Sequence, residues 1–461
     1  MSTDTAARSV QRRVRSVPIH RALPKLAREP AAALAEFARE AGGEVVRLDL
    51  GPFRPYLVTH PDHVQQVMRL EWTNYQRVGM FWRPLERLFG HSVMGDGEQW
   101  RISRKILQPM FTTRYIATIS EEVSKRVAGR IEEWDRYARD GRRFDATTEM
   151  SNILSYIVNR VLFGDKLDRE DGESIIPAFD TVAHSLVYRF LMPFMPYSIR
   201  VPRDRALLKA VKRIDDVVYP IVRRAMAAPD DSTDVISVLC RSTDENGDPL
   251  TVTQIRDALV SVYAASSETT AMVITWVWLL LKEHPQVAVR LQAEVDEVVG
   301  DGPARPEHLP RLAYTRMVLL EILRLYPSGW LLPRQVMEDA EIGGVRIRRG
   351  STVFICPYAT QRLEDFWERP DEFDPERFAT GDGERRHRYS YFPFGGGPHK
   401  CLGEHLFYVE APLLVASILS RFRVGVPTPG PYPTGWAASL RPRQKVDLDV
   451  SFAGRDRAGV A

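Results

Sequence analysis

The chain has 461 residues, 44% hydrophobic and 27% charged, with a net charge of +3. That composition is ordinary for a globular protein, and so small a net charge gives no general attraction to nucleic acid or to membrane surfaces. The three cysteines, Cys240, Cys356 and Cys401, are odd in number and far apart, which argues against a disulfide framework or a four-cysteine metal site and points to a reducing, cytoplasmic setting.

Residues 1–20 lack the apolar core of a signal peptide. They carry Arg8, Arg12, Arg13 and Arg15, and 1–28 reads as a solvated, flexible N-terminal arm. No window of 18 uncharged apolar residues occurs. The nearest approach, 271–281, is too short to cross a bilayer, so no transmembrane anchor is expected. An Ala-rich helix is predicted over 30–41, stopped by Gly42 and Gly43. Alternation in 45–50 and 55–59 around Gly51 and Pro52 predicts a hairpin. From 62 to 299 the helical period dominates, with long helices predicted at 114–139, 203–227 and 251–282, followed by 285–299 and 312–326. Short strands are predicted at 334–337, 345–348 and 352–356, a helix at 403–419 and strands within 437–450. The fold class is mainly α with a smaller β portion at both ends. Length alone suggests roughly two to four domains.

Residues 364–400 are rich in Pro, Gly and charge and show little period. A loop that long inside a compact domain is usually functional. It ends in FPFGGGPHKCLGEH, residues 392–405. Gly395, Gly396 and Gly397 permit backbone approaches that side chains forbid. Cys401 then falls at a helix start, where unpaired N–H groups and the helix dipole favour a thiolate. On these grounds two roles fit equally: a single axial bond to a metal in a planar cofactor, or a nucleophile.

The spelling Phe394-x-x-Gly397-x-His399-x-Cys401-x-Gly403 resembles the haem-binding signature of the cytochrome P450 family. The resemblance implies the P450 fold, with haem b (iron protoporphyrin IX) held by Cys401 as thiolate ligand of the iron. Such ligation favours O–O cleavage. His399 would meet a haem propionate and Phe394 would pack beside the sulfur. Glu321-Ile-Leu-Arg324 is similar to the family's ExxR motif, and the segment around Arg377 resembles the one that completes its triad. Alone, such an i,i+3 pair is usually a surface ion pair of little worth. In the family context, Glu321, Arg324 and Arg377 would form a buried structural network. Trp100 and Arg104 resemble the family's WxxxR, and Arg334 lies at the family's distance after ExxR. All three are candidates for the propionates.

Ala264-Ala265-Ser266-Ser267-Glu268-Thr269-Thr270 lies midway along the predicted helix 251–282. An acid beside an alcohol can relay protons. The bland alternative is a small-residue helix contact with Thr bonding back to its own backbone. The segment resembles the family's oxygen-activating motif, with Glu268 and Thr269 as the catalytic pair and Ser266 where glycine is usual.

The resemblance runs from roughly 30 to 450. It implies one haem domain over 29–451 and a tail over 452–461, against the guess from length. By family layout, Phe81, Trp82, Ala265, Trp330, Leu331 and Trp436 line the substrate pocket. Such apolar linings hold apolar ligands. Residues 190–197 read either as an exposed gate or as a hydrophobic connector. No GxGxxG follows a strand, so electrons for O2 activation are expected from a separate ferredoxin or flavodoxin with its reductase. Lys105, Arg385, Arg386, Arg388 and Lys400 would form its basic docking face, unless they merely reflect an arginine-rich surface. The expected activity is monooxygenation of an apolar small molecule. A terpenoid comes first; polyketide, peptide or alkaloid tailoring, including oxidative ring coupling, comes second. A peroxide-using haem-thiolate enzyme and a non-catalytic haem-binding protein are the rivals of another class.

Overall fold

The computed structural model describes residues 14–90, 92–192, 195–196, 198–379, 386–436 and 439–454. The chain divides into two compact units, one of Met1–Gly79, Gly329–Glu372 and Glu384–Cys401, the other of Met80–Ser328, Phe373–Gly383 and Leu402–Ala461.

The first unit is built on a six-stranded sheet. Its strands lie in the order Arg15–Val17, Val46–Leu48, Tyr56–Val58, Thr352–Ile355, Leu332–Val336 and Tyr75–Gln76. The expected hairpin forms: Val46–Leu48 and Tyr56–Val58 are antiparallel. Tyr56–Val58 then pairs in parallel with Thr352–Ile355, so the middle of the sheet joins two distant parts of the chain. A largely β-branched and aromatic core backs it, including Val58, Val64, Tyr75, Val353 and Ile355, with Met68 among them. Tyr389 and Phe392 belong to the same cluster, so the chain just ahead of the cysteine loop is fastened to the sheet's own core.

Within the span 1–28 expected to be a flexible arm, the described residues form regular structure from Arg15 onward. Arg15–Val17 pairs in parallel with Val46–Leu48, and Ile19–Arg28 is a helix with Ala22 fully buried. The cause is local. Val17 is buried, and Arg15 and Arg21 both reach Glu40 at the end of the helix Pro30–Glu40.

The second unit is helical and centres on Val252–Glu283. Thr251 and Gln254 form a capping box at its start, each satisfying a backbone N–H that the first turn leaves unpaired. Helices Ala146–Phe163, Asp204–Ala227, Ala313–Leu325 and Glu404–Arg421 pack on it. By length and composition this helix could cross a membrane, yet 72% of its apolar window is buried inside the protein. The helix predicted over 114–139 is broken into Thr113–Glu132 and Asp135–Asp140. Trp134, at the break, turns into the core against Phe144 and Phe422, with ring centroids 4.7 and 6.1 Å away. The strands expected in 437–450 are Leu440–Pro442, paired with Thr434–Trp436, and Asp447–Phe452, paired with Phe422–Gly425.

Candidate functional site

The cysteine loop is a stack of tight turns. The Gly395 N–H donates to the Phe392 carbonyl at 2.9 Å, Lys400 to Gly397 at 3.1 Å, and Cys401 to Phe394 at 2.8 Å. Gly397 has φ +63°, and a Cβ there would lie 1.9 Å from the Met68 carbonyl oxygen. A side chain is therefore excluded twice, by conformation and by backbone contact. Gly397→Ala should destabilise the protein by about 2–5 kcal/mol. Gly51→Ala, with a similar φ of +73° but nothing within 4 Å, should cost only the conformational part. Thermal unfolding of the two variants checks the difference.

The same unit carries His399, buried on the loop, and Arg334, buried on the strand Leu332–Val336. Trp72 meets the His399 ring edge-on at 5.4 Å, and the Arg77 guanidinium donates to the His399 carbonyl at 3.0 Å. Neither Trp72 nor Arg77 was legible in the sequence, because no motif includes them. Cys401 is exposed, whereas Cys356 is fully buried. Burial pushes the Cys356 thiol up to about 12 and also raises that of Cys240. Of the three cysteines, Cys401 is the most exposed, Cys240 being half-buried.

In the helical unit Glu321, Arg324 and Arg377 come together. Glu321 and Arg324 have no exposed side-chain surface. Glu321 Oε2 accepts from Arg324 Nε at 2.6 Å. Its Oε1 accepts from Arg324 Nη2 at 2.8 Å, from Arg377 Nε at 3.2 Å and from the Asp374 N–H at 3.0 Å. One carboxylate thus gathers four donors from two segments. The short turn Pro375–Phe378 that presents Arg377 is opened by Asp374, whose carboxylate accepts the Glu376 N–H. Trp100 and Arg104 lie one turn apart on the helix Glu98–Leu107, with Trp100 buried and Arg104 half-buried.

Midway along Val252–Glu283, Ala265 is exposed and Thr269 half-buried on a helix buried at most other positions. The pair at i and i+4 marks one open face. The Thr269 hydroxyl donates to the Ala265 carbonyl at 2.7 Å, and the Ser266 hydroxyl to the Val262 carbonyl at 2.7 Å. This is the back-bonding geometry, and it leaves the Thr269 oxygen able to accept a hydrogen bond. Ser328 donates to the Thr269 carbonyl at 2.9 Å. Next along the helix, Thr270 donates to Glu410 at 2.9 Å, a carboxyl that burial pushes up to about 7. Glu268 is held by Arg441, whose Nη2 donates to Oε1 at 2.6 Å. Glu410 and Arg441 escaped the sequence reading because both reach this helix from more than a hundred residues away.

Of the expected pocket residues, Phe81 and Trp82 are half-buried in the helical unit with Ala265. Trp330 and Leu331 belong to the sheet unit, Trp330 being buried. The Trp436 side chain and Arg385 lie outside the described residues. So do Pro193, Phe194 and Tyr197 of the segment 190–197.

A sequence model of the family described as Cytochrome P450 matches residues 14–449. The chain belongs to the cytochrome P450 family. Cyclooctat-9-en-7-ol 5-monooxygenase of Streptomyces melanosporofaciens is 32% identical over 417 residues, covering 90% of this P450 and 89% of the relative. Pentalenene oxygenase of Streptomyces avermitilis is 28% identical over 409 residues, covering 88% and 89%. The heme domain of cytochrome P450DA superposes with a TM-score of 0.83 at 23% identity, covering 96% of this chain and 98% of that one. The fold is therefore that of a P450 heme domain, the reaction class is monooxygenation, and the cofactor is haem b. The residues present fit that group. Among the described residues no three His, Cys, Asp or Glu gather to bind a metal. One accessible sulfur on a glycine-cradled loop suits an iron whose other bonds come from its own macrocycle.

Proposed function

We propose that this P450 inserts oxygen into, or otherwise oxidises, an apolar terpenoid in the cytoplasm, with electrons from a separate ferredoxin or flavodoxin and its reductase. The acid–alcohol pair Glu268–Thr269, placed beside the open face of an otherwise buried helix, carries the reading. Two relatives named for terpenoid substrates, cyclooctat-9-en-7-ol and pentalenene, support the substrate class. Haem, when bound, supplies thiolate-ligated iron able to activate O2. Cys401 is its ligand, Phe394 packs beside the sulfur, and His399, Arg334, Trp100 and Arg104 hold the propionates. Glu321, Arg324 and Arg377 brace the structure around it. Phe81, Trp82, Ala265, Trp330, Leu331 and Trp436 contact substrate. Glu268 carries protons inward and the Thr269 Oγ1 holds one where oxygen is reduced. Exposed Arg388 and half-buried Arg386 and Lys400 supply positive charge for an acidic electron donor.

The test is turnover of cyclic sesquiterpenes and diterpenes with NADPH and a surrogate ferredoxin pair, read as product carrying one added oxygen. Terpenes that neither shift the ferric spin state nor react, while indolic or polyketide compounds do, would overturn the substrate class. Thr269→Ala should retain haem and NADPH consumption while product per NADPH falls about tenfold or more and peroxide rises. Unchanged coupling in that variant would remove Thr269 from the relay.

A further inference from the structure

Glu268 is the inner end of a chain of four charged or titratable side chains. Arg441, on the strand Leu440–Pro442, donates through Nη2 to Glu268 Oε1 at 2.6 Å. Its Nη1 lies 3.1 Å from His184 Nε2. His184 Nδ1 lies 2.9 Å from the Asp180 carbonyl oxygen and 3.2 Å from its Oδ1. Asp180 and His184 stand on the helix Arg169–Leu191. That helix is stacked on Val252–Glu283 through Phe179 and Tyr263, whose centroids are 4.4 Å apart. Glu268 and Arg441 are the sheltered members, at 23% and 15% side-chain exposure, and His184 and Asp180 the solvent-facing ones, at 42% and 64%.

The tautomer of His184 follows from its partners. A carbonyl oxygen only accepts, so Nδ1 carries the hydrogen and Nε2 is left as acceptor for Arg441. Protonation at Nε2 removes that acceptor and sets an imidazolium against a guanidinium. Arg441 has little else to hold it, since its Nε is buried without a partner among the described residues. We propose that His184, acting through Arg441, is a positioning residue that controls whether Glu268 is clamped or released for proton delivery. With His184 neutral, Arg441 bridges His184 and Glu268 and the clamp is closed. A proton taken from solvent at Nε2 opens it. The charged groups acting on His184 are Asp180 from its own helix and Arg441 from the strand, while Arg203 acts on Asp180. Asp180 dominates and raises the His184 pKa, so opening occurs as pH falls through a value above that of ordinary imidazole.

This rests on the relay role assigned to Glu268. It is tested on the holoenzyme by two measurements. The first follows each histidine by NMR with isotope-labelled histidine, without turnover, His184 being the resonance lost in His184→Gln. Asp180→Asn should move its midpoint to lower pH and Arg441→Gln to higher pH. The second is product per NADPH against pH. The parent should show a step up on acidification at the His184 midpoint. His184→Gln, whose amide oxygen still accepts from Arg441 but does not titrate, should stay flat at the high-pH level. Asp180→Asn should keep the step but shift it to lower pH. A step that survives unchanged in both variants overturns the clamp while leaving the role of Glu268 standing. Parent-like coupling in Glu268→Gln overturns the relay itself, and the clamp with it.

Discussion

Arg324→Ala should give a protein that holds little haem and unfolds at markedly lower temperature. The Glu321 carboxylate has no exposed surface and accepts from four donors, two of them on Arg324. Removing the guanidinium leaves a buried anion with only Arg377 and one backbone N–H. Breaking a buried pair on one side costs about 3–5 kcal/mol, against a typical total stability of about 5–15 kcal/mol. Arg324→Lys should fall between, because an ammonium reproduces the charge but not the two-pronged contact. The ratio of Soret to protein absorbance and the thermal midpoint check both. A haem-replete Arg324→Ala protein with the parent midpoint would strip this network of its bracing role.

The second large effect is spectroscopic rather than structural. Cys401 is exposed and its backbone N–H, not its sulfur, closes the turn onto Phe394. Cys401→Ser should therefore change the stability of the haem-free protein by only about 0.5 kcal/mol, while the holoprotein also loses the stabilisation that ligation adds. It should nonetheless abolish the strongly red-shifted Soret band of the reduced protein under carbon monoxide, and with it all NADPH-supported turnover. Neither other cysteine stands on a glycine-cradled loop: Cys356 is fully buried with its thiol raised to about 12, and Cys240 sits on the helix Val235–Arg241 with its thiol also raised by burial. A thiolate-type band persisting in Cys401→Ser would mean that the ligand had been misassigned.

Where the chain carries local signals, its sequence was legible. Thr251 with Gln254, and His284 followed by Pro285, bracket the central helix within a residue or two of its predicted limits. The cysteine loop could be read because its glycines answer to backbone constraints that no other residue meets. What stayed hidden depends on tertiary contact. The period through 114–139 continues smoothly, and only the burial of Trp134 between Phe144 and Phe422 breaks the helix. Residues 14–28 look like a basic tail until Val46–Leu48 offers Arg15–Val17 a partner strand. The clamp on Glu268 joins positions 173 residues apart in sequence, and nothing near Glu268 or Arg441 announces the other.

The six-stranded sheet also sets a timetable for synthesis. Tyr56–Val58 waits for Thr352–Ile355, and the Thr360 hydroxyl that bonds to the Thr59 carbonyl lies 301 residues downstream. Closing so long a loop is entropically costly and slow. The early strands therefore leave the ribosome with an unpaired edge, while the intervening helices can already fold against one another as they appear. During that interval the exposed edge is a template for wrong partners. A nascent chain arrested before residue 352 would carry most of its helical core and no finished sheet, and would depend on chaperones to keep the first strands apart.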